Sequence, residues 1–94
     1  MFDIRLDENG NVLLSGRLDA SHAERVEAFL RSISDSRTID FEHLDYISSA
    51  GLGVLIAAYK RLDSNGHTLR LRNMNKHIRD IFHFARLDSI FEIE

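Results

Sequence analysis

After an opening pair of strand-like segments, helix-like and strand-like segments alternate to the end of this 94-residue chain. Apolar residues recur with a helical period at 23–33, 49–65 and 78–85, and with the period of two that is typical of strands between them. Ser21 is predicted to cap the first helix. Because strands joined through helices pair in parallel by right-handed crossovers, the sequence predicts an α/β fold with the order β-β-α-β-α-β-α-β.

The first two strands are predicted to form a hairpin. Apolar and charged residues alternate over 2–6, and Asn9-Gly10 separates this segment from the apolar run 12–14. Asn-Gly favours a tight hairpin because both turn positions accept a positive φ. A short strand is predicted at 39–42, and 90–93 is predicted to close the chain as a strand. Since three strands have one polar face, the helices should lie mainly on the other face of a mixed sheet.

Size and composition limit the classes of function. The length allows one domain, residues 1–94, and 44% of the residues are hydrophobic, as in a globular protein. The chain has no cysteine, which excludes a disulfide scaffold and a cysteine nucleophile. A net charge of −3 argues against nucleic acid as the main partner. No segment approaches the roughly 20 apolar residues that span a bilayer, so no membrane insertion is expected and a cytoplasmic location is predicted.

The least ordinary segment runs from Leu44 to Leu55. A predicted strand leads into Ser48 and Ser49, and the helix that follows has Gly51 and Gly53 in its first turn. Each glycine costs a helix about 1 kcal/mol relative to alanine, so two together predict that another group approaches this backbone closely. A phosphorylated serine here would be stabilised by the helix dipole. The alternative interpretation is that Ser48 or Ser49 only caps the helix.

Small residues form a stripe along the same helix. Ala50, Gly53 and Ala57 are spaced at i, i+3 and i+7, so they share one face. Such a face would let the backbone of another protein lie close to the helix. A tight contact between the helix and its own sheet would produce the same spacing, and the sequence alone leaves both alternatives open.

Two motifs make the chain similar to a known family. Ser15-Gly16-Arg17-Leu18-Asp19-Ala20 resembles an S-G-x-L-D element that follows the second strand of STAS domains. Leu44-Asp45-Tyr46-Ile47, followed by Ser49-Ala50-Gly51-Leu52-Gly53, resembles the signature L-x-(F/Y)-(I/M)-D-S-(S/T)-G-L-G. The order and spacing of these motifs cover essentially the whole chain. The sequence thus resembles the STAS-domain anti-sigma factor antagonists of bacteria, also called anti-anti-sigma factors.

This resemblance implies a phosphorylation switch. The family's phosphoacceptor stands two residues before the first glycine of G-L-G, which is Ser49 here. The implied partners are an ATP-dependent anti-sigma factor and serine kinase of the ATPase fold, and a metal-dependent serine phosphatase that reverses the modification. Only the unphosphorylated form would capture the kinase and free its sigma factor. Asp19 matches a loop acid near the family's partner surface. The predicted partner-binding residues are Asp19, Ser48, Ala50, Gly51, Gly53 and Ala57.

Two positions depart from the signature. Ser48 stands where the family has aspartate, and Ala50 stands where it has serine or threonine. Ser48 is therefore the second candidate for phosphorylation. The alternative function implied by the same resemblance is that of an adaptor subunit in a transporter or a lipid-transport ATPase, without phosphorylation.

Catalytic and metal chemistry find little support in the sequence. His77 and His83 are six residues apart, which places them about 120° apart around a helix rather than on one face. The segment Ile47-Ser48-Ser49-Ala50-Gly51 lacks the first glycine of a G-x-S-x-G nucleophile elbow. No enzyme activity, metal site or cofactor is predicted.

Overall fold

The five strands form one mixed sheet in the order of the chain. The computed structural model, which describes every residue, pairs β1 antiparallel with β2 and places the other strands parallel to β2. The strands are β1 (Phe2–Leu6), β2 (Val12–Leu18), β3 (Arg37–Ile47), β4 (Leu69–Arg72) and β5 (Glu92–Ile93). The predicted strand and helix order is confirmed.

Three helices connect the parallel strands. They are α1 (Ala23–Arg31), α2 (Ser49–Asp63) and α3 (Lys76–Phe84). Short 3₁₀ turns at Ala20–His22 and Leu87–Ser89 precede α1 and follow α3. Each crossover leads to the next strand in the same direction, so right-handed connections place all three helices on one face of the sheet.

The core lies between this helical layer and the sheet. Val12, Ile39 and Leu71 are register neighbours on three adjacent strands, and none of them has any exposed surface. Phe41 of β3 meets Phe82 of α3 edge to face, with 6.0 Å between the ring centroids. Burial of these side chains supplies the main stabilising contribution and holds the helices against one face.

Three of the predicted strands have different lengths in the structure. β2, predicted from the apolar run 12–14, continues to Leu18. β3 runs over Arg37–Ile47, so the strand predicted at 39–42 continues into the segment that leads to the two serines. Its register with β2 shifts twice, between Leu13 and Ser15 and between Gly16 and Arg17. These bulges interrupt the alternation of side chains, which is why the pattern did not indicate one long strand. β5 contains only Glu92–Ile93 rather than 90–93.

One charged side chain on the helix-free face is unexpectedly buried. Leu13, Asp40 and Arg72 are register neighbours on this face. Asp40 is only 7% exposed, although it lies on the face of the strand that the sequence predicts to be polar. Its carboxylate accepts hydrogen bonds from the Glu42 N–H at 2.9 Å, the Asn73 side-chain amide at 3.2 Å and the Arg72 Nε at 3.2 Å. Burial by itself raises the pKa of Asp40, but these three donors outweigh it, so the pKa is lowered.

We expect Asp40→Asn to reduce the free energy of unfolding by about 1–2 kcal/mol near neutral pH, because asparagine still accepts from Glu42 but loses the charge that faces Arg72. The folded pKa of Asp40 lies below its ordinary value of 3.8. Its charge therefore stabilises the fold above the unfolded pKa, and this stability is lost as the pH falls through the folded pKa. Urea unfolding should show the difference between wild type and variant shrinking as the pH is lowered below about 4. A difference that stays constant would contradict this role.

Candidate functional site

The residues of the second motif meet those of the first at one edge of the sheet. Leu18 and Ile47 are register neighbours at the carboxyl ends of β2 and β3, and the Ser48 N–H donates to the Leu18 carbonyl at 2.9 Å. Asp19 directly follows β2, and Ser48 directly follows β3. Because parallel strands end at the same edge, the structure brings Asp19 and the two serines together although Asp19 and Ser48 are 29 positions apart in the sequence.

The two serines have different roles. Ser48 has extended backbone angles, and its Oγ accepts a hydrogen bond from the Gly51 N–H at 3.2 Å, so it is the N-cap of α2. Ser49 is the first residue of the helix, and it is exposed. Its hydroxyl makes no hydrogen bond within the chain. The capping alternative is therefore confirmed for Ser48, and Ser49 presents a free hydroxyl at the positive end of the helix dipole.

Gly51 faces the interior. It is buried, and a Cβ at this position would lie 2.9 Å from Leu18 Cγ and 3.0 Å from Ile47 Cγ1. Because Gly51 has no side chain, the first turn of α2 can pack directly against Leu18 and Ile47. The close approach that this glycine predicted is made by the protein's own side chains, which corrects the expectation that Gly51 faces a partner.

The other small residues lie on the surface. Gly53 is exposed, and a Cβ added to it would meet no atom within 4 Å. Ala57 is also exposed, and Ala50 is half-buried. The interior side of α2 is formed instead by Leu55, Ala58 and Leu62. Of the two alternatives for this stripe, a tight helix–sheet contact is therefore wrong, and the small residues form a flat solvent-facing flank.

A shallow groove borders this flank. It lies between α1 and α2 and has a volume of about 300 Å³. Leu30 of α1 and Val54, Ala57 and Ala58 of α2 form its apolar lining. Arg61 closes one end by donating hydrogen bonds to the carbonyls at the end of α1.

Asp19 holds the turn beside the serines. Its carboxylate accepts hydrogen bonds from the Ser21 N–H at 3.0 Å and the Ser21 hydroxyl at 2.6 Å. These bonds, the one from the hydroxyl first, lower the pKa of Asp19. His22 Nδ1 lies 3.1 Å from the same carboxylate. Ser21 is thus a donor to Asp19 rather than the cap of α1, so the predicted capping role of Ser21 is wrong, and Asp19 keeps a negative charge at this edge.

No three His, Asp or Glu side chains converge closely enough to bind a metal ion. None of the helices is both long and apolar enough to cross a bilayer. Sequence reasoning did not identify Ser21 and His22 as neighbours of the site, because no spacing pattern indicates a contact with Asp19 within a single 3₁₀ turn.

The site combines three features at one edge of the sheet. An accessible hydroxyl lies at the start of a helix, with a flat flank on one side and a carboxylate on the neighbouring loop. A family model described as "Mlab, STAS domain" matches residues 3–92. The chain belongs to the STAS domain family.

Relatives within this family are anti-sigma factor antagonists. BtrV of Bordetella bronchiseptica, assigned as an anti-sigma factor antagonist, is 34% identical over 84 residues, which cover 85% of this chain and 72% of BtrV. The anti-sigma-B factor antagonist of Bacillus subtilis is 27% identical over 96 residues, covering 97% of this chain and 87% of the relative.

Solved structures share the fold. An anti-sigma factor antagonist of Thermotoga maritima superimposes with a TM-score of 0.81 at 21% identity, covering 99% of this chain and 85% of that one. The phosphorylated form of the Bacillus cell fate determinant SpoIIAA gives a TM-score of 0.72 at 20% identity, covering 100% and 91% of the two chains. At these identities the likeness concerns the fold.

Proposed function

We propose that residues 1–94 act as one STAS domain that serves as an anti-sigma factor antagonist controlled by phosphorylation of Ser49. The unphosphorylated form binds an anti-sigma factor that is also a serine kinase of the ATPase fold, and the phosphate releases it. A metal-dependent serine phosphatase returns the domain to its binding form. The observation that carries this proposal is the free, exposed hydroxyl of Ser49 at the start of α2, beside a capping serine that is already engaged.

Ser49 suits the acceptor role better than Ser48. The Ser48 oxygen is held by the Gly51 N–H and is half-buried, so phosphorylating it would disrupt the helix cap. A phosphate on Ser49 would point into solvent in the free domain, and the helix dipole would stabilise it. The modification can then take place without unfolding the first turn of α2.

The negative charge of the phosphate explains how the partner would be released. A neutral hydroxyl is buried in an interface at small cost, whereas a phosphate of charge about −1.5 to −2 needs cations to compensate it. Asp19 already places one negative charge on the adjacent loop. A partner surface that matches the unphosphorylated domain would therefore meet a second, larger anion at the same edge, and affinity would fall without any refolding.

The phosphorylation site can be located directly. Incubation with the cognate kinase and ATP should add one phosphate, Ser49→Ala should abolish the reaction, and Ser48→Ala should still be modified. Peptide mass spectrometry reports the position. A phosphate found on Ser48, or none at all with the cognate kinase, would contradict the assignment.

Substitution on the small-residue flank tests the docking surface. We expect Ala57→Arg to weaken partner binding at least about tenfold while the melting temperature stays near that of wild type, because the side chain is added in solvent. Asp63→Arg is the matched control, since Asp63 is also exposed on α2 but lies on another face of the helix. Calorimetric titration and thermal melts measure both quantities. If Ala57→Arg unfolds while its affinity is kept, the flank is not the interface.

One experiment separates this proposal from the adaptor function that the sequence left as the alternative. The native protein should be purified together with its partner. Recovery of a serine kinase of the ATPase fold supports the switch. Recovery of a permease or a transport ATPase supports the adaptor function instead.

A further inference from the structure

β1 forms an open edge of the sheet. Met1 accepts a hydrogen bond from the Arg17 N–H, and the Asp7 N–H donates to Asn11, so the odd-numbered residues direct their backbone groups toward β2. Hydrogen bonding alternates along an antiparallel strand. The N–H and C=O groups of the even-numbered residues Phe2, Ile4 and Leu6 therefore point away from the sheet. Such an edge is a template for a further strand.

The edge also exposes apolar surface. Leu6 is the register neighbour of Val12, so its side chain belongs to the face that packs under the helices. Ile4 on the same face is buried, yet Leu6 remains 48% exposed. No strand lies beyond β1 to cover it.

The two charged residues of β1 have opposite signs and lie at equal distances from its centre. Asp3 and Arg5 flank Ile4 and lie on the helix-free face, as their register neighbours Ser15 and Leu13 do. Reversing the strand about Ile4 exchanges the two positions, so an acid comes opposite a base at both of them. The strand is therefore complementary in charge to an antiparallel copy of itself.

We infer that β1 pairs antiparallel with β1 of a second copy of this chain, about a two-fold axis at Ile4. In this register Ile4 faces Ile4 of the second copy, and Phe2 faces its Leu6. All three residues carry the outward-pointing backbone groups, so donors meet acceptors along the whole strand. Leu6 gains an apolar neighbour, and two Asp3–Arg5 pairs form across the axis. The contact is isologous, as closed dimers require.

One side chain competes for this edge. Arg25 of α1 lies 2.9 Å from the Asp3 carboxylate, and its other nitrogen reaches the Phe2 carbonyl at 3.4 Å. The second contact is long for a hydrogen bond, so a paired strand can replace it. The ion pair with Asp3 is exposed on both sides and contributes little to stability.

The pairing is a weak, reversible association. Five residues a side make a smaller contact than the roughly 1,200 Å² of a stable interface, so we expect a dissociation constant of tens of micromolar or higher. β2 lies between β1 and the strand that leads to Ser49, so dimerisation leaves the candidate phosphorylation site accessible. The inference does not depend on the proposed function.

Two charge-reversing substitutions test the proposed pairing of β1 with β1 of a second copy. Asp3→Arg makes one chain with two cations on β1, and Arg5→Asp makes another with two anions. Each variant alone should dimerise at least about fivefold more weakly than wild type, because like charges then lie opposite each other. An equimolar mixture of the two should form a heterodimer, in which both pairs are again opposite in charge. Sedimentation velocity at low salt and native mass spectrometry measure these species, and circular dichroism shows that each variant is folded.

The mixture distinguishes a loss of strand pairing from a loss of folding or of the Arg25 contact. Recovery of association in the mixture has no explanation unless positions 3 and 5 face each other between copies. Wild-type protein that stays monomeric at about 1 mM would overturn the inference. A dimer that neither substitution weakens, or a mixture that behaves as its separate components, would overturn it as well.

Discussion

Ser49→Asp should leave the free domain at least as stable as wild type and lower its affinity for the partner by about thirtyfold or more. The aspartate would lie in the first turn of α2, where the helix dipole favours a negative charge by about 0.3–1 kcal/mol. In a close interface with no cation opposite, the same charge should cost about 2 kcal/mol or more. Thermal melts and calorimetric titration measure the two effects separately.

Matched substitutions isolate the charge. Ser49→Ala should keep both stability and most of the binding, because Ser48 rather than Ser49 holds the helix cap. Ser48→Asp keeps an oxygen that can cap the helix, and it restores the residue that the STAS signature has at this position, so it should also bind. If Ser49→Asp binds as tightly as Ser49→Ala, electrostatic exclusion at Ser49 is not the switch.

Gly16→Ala should reduce the free energy of unfolding by about 3 kcal/mol or more, the largest effect on stability that we expect from a single methyl group. Gly16 has φ +84°, and a Cβ there would lie 1.9 Å from the Met1 carbonyl oxygen. That carbonyl accepts the hydrogen bond from Arg17 which closes the outer end of the hairpin. The side chain would therefore add backbone strain and also separate β1 from β2 at this point.

Gly66→Ala is the control for backbone strain alone. Gly66 has φ +80°, close to that of Gly16, but a Cβ at Gly66 would meet no atom within 4 Å. Its substitution should cost about 1 kcal/mol. The difference between the two variants in urea unfolding measures the contact with Met1. Equal losses would show that this contact is not a constraint.

The arrangement of elements could be predicted because it depends on local patterns. Helical periodicity, alternation along the strands and the Asn9-Gly10 turn each report on backbone conformation within a few residues. The rule for right-handed crossovers then orders the parallel strands and places the helices on one face. The bulges in β3 and the burial of Asp40 could not be predicted in this way. Both depend on how β3 aligns with its neighbouring strands and on donors from β4 and the loop that follows it.

Some features of the candidate site could likewise be predicted from local patterns, and others depend on contacts between distant parts of the chain. The serine pair, the two glycines and the small-residue stripe at the start of α2 are evident in the sequence, and their order resembles the STAS signature. The folded chain was needed to show that Ser48 caps the helix, that Gly51 packs on Leu18 and Ile47, and that the stripe lies on the surface. Burial depends on which surfaces meet. Part of the surface that meets Gly51 comes from Leu18 of β2, more than thirty residues earlier in the chain, and no periodicity within α2 carries that information.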